Sequence, residues 1–131
     1  MKTTKRVLAL LLVLAVSVLI LAGCAAKGIT VHVKITGQDA AVMYDKDVKV
    51  TAETPFAIDA TVAAMKDGKL DYTDENGFIS SIGGVAGTDT DGWLMFINGE
   101  MAQLGASEQP VAEGDTLEWQ YLNYAEAFPQ Q

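Results

Sequence analysis

Gly92-Trp93-Leu94-Met95-Phe96-Ile97-Asn98-Gly99 is the stretch that decides the fold of this chain. Five consecutive large apolar residues, Trp93 through Ile97, put hydrophobic side chains on both faces of a strand, the pattern of an inner strand covered on each side. The Asn98-Gly99 that follows tolerates the positive φ angles of a type I′ turn, so the chain doubles straight back. On that alternation Trp93, Met95 and Ile97 share the core-facing side, and Leu94 and Phe96 point the other way.

Towards the C-terminus, residues 101–104 can pair back along this strand before a loop at 105–114. The last strand, residues 115–122, places Leu117, Trp119 and Tyr121 on one face and Thr116, Glu118 and Gln120 on the other. The residues that follow have no period, and we set 125–131 aside as a tail. Towards the N-terminus, a polar loop and Gly83-Gly84 separate the central strand from a second apolar strand at 78–82. That strand follows a turn at 74–77, and residues 70–72 form a brief edge strand.

Further upstream, Ile29, Val31, Val33 and Ile35 alternate with Thr30, His32, Lys34 and Thr36, which predicts a half-buried strand with the only histidine on its polar face. Residues 39–46 read as a connection, and Val48, Val50 and Ala52 repeat the alternation as the second arm of a hairpin. Thr54-Pro55 ends it, since proline cannot donate to a ladder. Asp59 then serves as N-cap of a helix of about two turns. It carries Val62 and Met65 on one face and stops at Gly68 in the left-handed C′ conformation. So short a helix is not stable alone and must lie on the sheet. Strand, strand, helix, then strands only predicts an α+β fold: one mixed sheet with one short helix on one face.

The first 23 residues differ from the rest. Lys2, Lys5 and Arg6 precede an apolar run at 7–22 broken only by Ser17, and small residues close it: a secretory signal. Leu21-Ala22-Gly23-Cys24 resembles the lipobox of bacterial lipoproteins. The resemblance implies a diacylglycerol on the Cys24 thiol and cleavage before it. It also accounts for a lone cysteine in an exported chain, which has no internal disulfide partner. Residues 24–28 form a short lipidated tether, and the module is expected at the extracytoplasmic face of a bacterial membrane.

After cleavage six basic residues remain against seventeen acidic ones, a net charge of −11. Such a surface repels phosphate backbones and anionic headgroups, so nucleic acid is not an expected partner, and membrane contact comes through acyl chains.

The order of the signals carries a further resemblance. Thr61-Val62 opening a helix, Phe78-Ile79-Ser80-Ser81-Ile82-Gly83-Gly84, Gly92-Trp93 through Asn98-Gly99, and Gly114-Asp115-Thr116-Leu117-Glu118-Trp119 together are similar to DUF4430, the transcobalamin-like C-terminal domain, over residues 29–124. The resemblance implies a β-grasp-like fold with the first and last strands as parallel neighbours. In transcobalamin and intrinsic factor the corresponding domain closes over a corrinoid held against a large helical domain. A fold, however, does not fix a function.

Catalysis finds little support. Ser80 or Ser81 with His32 and an aspartate lacks a nucleophile elbow, so these are expected as strand and solvated-face residues. Asp89-Thr90-Asp91-Gly92 resembles the opening of a calcium loop but lacks the closing glutamate, which favours a solvated turn. No metal or required cofactor is expected. Trp93, Leu94, Met95 and Phe96 are the candidate residues for a flat apolar ligand, cobalamin-like in the first reading. The alternatives are a protein or glycan partner at the envelope, or a structural surface role.

Overall fold

The computed structural model describes residues 28–129; the signal segment and Cys24 lie outside them. Strand β1 (Ile29–Thr36) buries Val31, Val33 and Ile35 completely and turns its polar set outwards, as the alternation predicts. It pairs antiparallel with β2 (Val42–Val50), with Ile29 opposite Val50 and a bulge after Ile35. The connection is shorter than the sequence suggests. The polar run Asp45-Lys46-Asp47 looks like loop but is strand, because its side chains lie on the open face or the sheet margin, where water solvates them. Tyr44 is buried, and its hydroxyl donates to Asp67 Oδ2 at 2.7 Å. Burial, and then that carboxylate, push its pKa up to about 12.

Helix α1 (Ala57–Gly68) is longer than expected, with about three turns. Its buried face is Ala57, Ala60, Thr61, Ala64 and Met65, the i, i+3, i+4, i+7, i+8 stripe of a helix against a core. Small side chains make that stripe easy to overlook. Asp59 is not the N-cap: it sits in the first turn, and its carboxylate accepts from the backbone N–H of Phe56 at 2.8 Å. The N–H groups of Ala57 and Ile58 donate to Gln109 O and Ala106 O, so a distant loop satisfies the helix start. The left-handed residue at the other end is Lys69, φ 52°, and not Gly68. Gly68 is needed for another reason, since a Cβ there would lie 2.9 Å from the Tyr44 ring.

Strands β3 (Tyr72–Glu75), β4 (Phe78–Ile82) and β5 (Val85–Ala86) form a three-stranded sheet of their own. The single mixed sheet expected from sequence is therefore two. A register shift opposite Ser80 lets Ile79 and Ile82, three residues apart, both reach the core. Strand β6 (Asp91–Ile97) is the central apolar stretch, and Asn98 (φ 51°) and Gly99 (φ 84°) make the tight turn into β7 (Glu100–Met101). Strand β8 (Thr116–Asn123) runs antiparallel to β6 and parallel to β1, so the larger sheet has the order β2-β1-β8-β6-β7. First and last strands are parallel neighbours, and α1 packs on one face of the sheet: the α+β, β-grasp-like arrangement predicted. The tail contributes a short helix, α2 (Tyr124–Ala127), which sequence did not predict.

Candidate functional site

The two sheets meet at Trp93 and Tyr121, neighbours on β6 and β8. Their rings form an edge-on pair with centroids 5.3 Å apart. The Trp93 indole Nε1 donates to Val85 O at 2.8 Å, and the Tyr121 hydroxyl donates to Ala86 O at 3.1 Å. These bonds tether β5 of the small sheet to β6 and β8 of the larger one. Trp93 and Met95 are buried, while Leu94 and Phe96 are half-buried on the opposite face.

β7 has only two residues and pairs with Phe96 and Ile97 alone. Ala102 N–H donates to Met95 O at 2.9 Å, and beyond that the chain leaves the sheet. The first half of β6 is thus a sheet margin, and an apolar hollow of about 250 Å³ lies on it. Trp93, Leu94, Met95 and Trp119 line it from the sheet, Phe78 from β4, Leu104 from the loop after β7, and Phe128 from the C-terminal turn. Phe78 is 64% exposed, Leu104 47% and Phe128 52%, so three of the most exposed large apolar side chains border one depression. Clustering of this kind marks a contact surface more strongly than scattered exposure does.

Of the four candidate ligand residues, the structure brings Trp93, Leu94 and Met95 together in the hollow. Phe96 does not line it; it lies between Met101 on β7 and Glu118 on β8. Sequence reasoning missed Phe78, Leu104 and Phe128. The strand readings at 78–82 and 101–104 absorb Phe78 and Leu104; only Phe128, a lone large apolar residue in an aperiodic tail, carries a signal of its own.

The other candidate chemistries resolve into structural roles. His32 Nδ1 is 2.6 Å from Asp47 Oδ1, and Nε2 is 2.5 Å from Asp45 Oδ1. The hydrogen bond to Asp47, then that to Asp45, raises the imidazole pKa above its ordinary 6.5. With both nitrogens occupied the ring has none left to activate a serine, and Ser80 and Ser81 belong to the other sheet. At residues 88–91, Thr88 Oγ1 accepts from the N–H groups of Thr90 and Asp91, and the Asp91 carboxylate accepts from the Thr90 hydroxyl. A wider polar cleft near Asp39, Asp91 and Glu126 lies at the far end of β8. Among the described residues no group of three His, Cys, Asp or Glu side chains is placed to hold a metal ion.

The profile of DUF4430, a domain of unknown function, matches residues 57–123, about half of the chain, from the start of α1 to the end of β8. The chain belongs to the DUF4430 family. None of the curated proteins matches it. Among solved structures this DUF4430 fold is similar to haptocorrin in complex with Cbi, with a TM-score of 0.64 and 20% identity. The match covers 76% of this chain and 26% of haptocorrin, so the DUF4430 chain spans about a quarter of that protein. It is also similar to a "putative metal binding protein" from Ruminococcus gnavus ATCC 29149, with a TM-score of 0.52 and 15% identity over 72% of this chain and 97% of that one. At these identities the likeness speaks for the fold alone.

Proposed function

We propose that this DUF4430 chain is a non-catalytic binding module, anchored by lipid on Cys24 at the extracytoplasmic face of a bacterial membrane, that offers the hollow beside β6 to a flat apolar ligand. A corrinoid is the first candidate. The observation that carries the reading is the convergence of Phe78, Leu104 and Phe128, all largely exposed, on one depression floored by Trp93 and Met95. The likeness to haptocorrin, whose structure holds Cbi, supports the choice of ligand class.

The hollow, about 250 Å³, lies below the roughly 300–1,000 Å³ of sites that enclose a small molecule. It therefore takes only one edge of a macrocycle, most of the ligand stays wet, and affinity is about micromolar or weaker. Because Trp93 lines the hollow, its fluorescence reports occupancy. Titration of the full chain in a neutral detergent with cobalamin and cobinamide, corrected for ligand absorbance, is expected to show saturable quenching. Leu104→Ser is expected to weaken it with little change in thermal midpoint, since the side chain is half exposed. Absence of saturation up to about millimolar ligand, the weakest affinity worth assigning here, removes the corrinoid. A protein partner is the second reading, favoured by a hollow sized for a single side chain.

A further inference from the structure

Charge is divided unevenly along this chain. Residues 24–69 hold six lysines and six carboxylates; residues 70–131 hold eleven carboxylates and no lysine or arginine. Every residue that lines the hollow lies in the second part, from Gly77 to Phe128. Five of the eleven carboxylates accept hydrogen bonds inside the fold: Asp74 from Gly77 N–H, Asp91 from Thr90, Glu113 from Thr30 N–H, Asp115 from Asn98 and Ala112, and Glu118 from Gln120. The other six have no side-chain hydrogen bond or ion pair among the described residues, where both ion pairs belong to His32.

Three of those six, all exposed, directly flank segments that wall the hollow: Glu75 ends β3 two residues before Gly77, Glu100 precedes Met101, and Glu108 lies two residues after Ala106. Glu126 lines the polar cleft at the far end of β8 instead. The β3–β4 turn and the 105–109 segment also touch, since a Cβ on Gly77 would strike Ser107. An apolar depression is thus walled by three segments that each carry an exposed, uncompensated carboxylate next to a wall residue.

We propose that this surface docks a basic segment of another protein, with one apolar side chain of that segment in the hollow and lysine or arginine residues on either side meeting the free carboxylates. The proposal rests on the hollow being a contact surface but not on a corrinoid entering it. Carboxylates on three segments are matched by cations spaced along a polypeptide, which one small cation cannot reach together. A second copy of this chain carries the same acidic surface and is repelled. Single exposed ion pairs contribute little, so the apolar anchor supplies the affinity, and the charge supplies association rate and selectivity.

The test uses the full chain in neutral detergent, Trp93 fluorescence, and three pentapeptides: phenylalanine flanked by four lysines, phenylalanine flanked by four glutamates, and alanine flanked by four lysines. The lysine–phenylalanine peptide is expected to bind, and to bind about tenfold more weakly when salt rises from about 0.02 to about 0.5 M. The alanine peptide is expected to bind at least about fivefold more weakly, as the loss of a buried apolar anchor requires, and the glutamate peptide not at all. Reversing three exposed carboxylates together, Glu75→Lys, Glu100→Lys and Glu108→Lys, is expected to abolish binding of the lysine–phenylalanine peptide and leave the thermal midpoint nearly unchanged. Equal binding of the two lysine peptides would overturn the anchor. Equal binding of the two phenylalanine peptides would overturn the basic partner and leave the hollow standing as a binding surface. If corrinoids saturate and no peptide binds, the partner alone falls; if nothing binds, the hollow falls with it.

Discussion

The indole Nε1 of Trp119 donates to the hydroxyl of Thr61 at 3.0 Å, inside the core between β8 and α1. That hydroxyl donates in turn to Ala57 O at 2.8 Å, so one threonine links the sheet to the first turn of the helix. Both residues are buried, and Trp119 also lines the hollow. Thr61→Val keeps the shape and leaves the indole N–H without its acceptor. It is expected to cost about 1–3 kcal/mol in urea unfolding, with Thr61→Ser losing less. Equal stability of wild type and Thr61→Val would show that the indole finds another acceptor.

Trp93 fills the junction of the two sheets and holds Val85 O. Trp93→Ala is expected to cost about 3–5 kcal/mol, the range for deleting a large buried aromatic. Trp93→Phe keeps most of the volume and gives up the hydrogen bond, for about 1 kcal/mol. Equilibrium unfolding measures both, and a negligible cost for the alanine variant would place Trp93 outside the core.

His32 bridges Asp45 and Asp47 on the open face, and its folded pKa is raised. A group with a raised folded pKa contributes its full stability below the unfolded value near 6.5, and that contribution is lost as pH climbs through the folded value. Wild-type thermal stability is therefore expected to fall on going from mildly acidic to mildly alkaline buffer by more than that of His32→Gln. The effect is small because the side chain is 39% exposed. Parallel pH profiles for the two proteins would show that the bridge does not couple to folding.

Cys24 is the only thiol in the chain. Cys24→Ala is expected to abolish labelling by a radioactive fatty acid and to release the protein from the membrane fraction. Membrane retention without label would mean that residues 7–22 remain as a span.

Several elements were legible because their signal is local. The alternation of β1 and β8, the Asn98-Gly99 turn and the apolar run of β6 all reappear where their periods put them. The start of α1 was misplaced because its N–H groups are satisfied by Gln109 and Ala106, about fifty residues away, and not by a neighbouring side chain. Gly92 carries a similar lesson: a Cβ there would lie 1.9 Å from the Tyr124 hydroxyl, a close approach that depends on where the tail folds.

By itself the sequence determined the strand periods, the core-facing residues of β1, β6 and β8 and the excess of carboxylates after residue 70, since each follows from neighbouring side chains or from composition. Only the tertiary structure decided that β3, β4 and β5 leave the main sheet, that Phe78, Leu104 and Phe128 surround one hollow, and that Phe96 stays out of it. Those outcomes depend on where loops distant in sequence come to rest, and that is set by packing around Trp93 and Tyr121 and not by any local period.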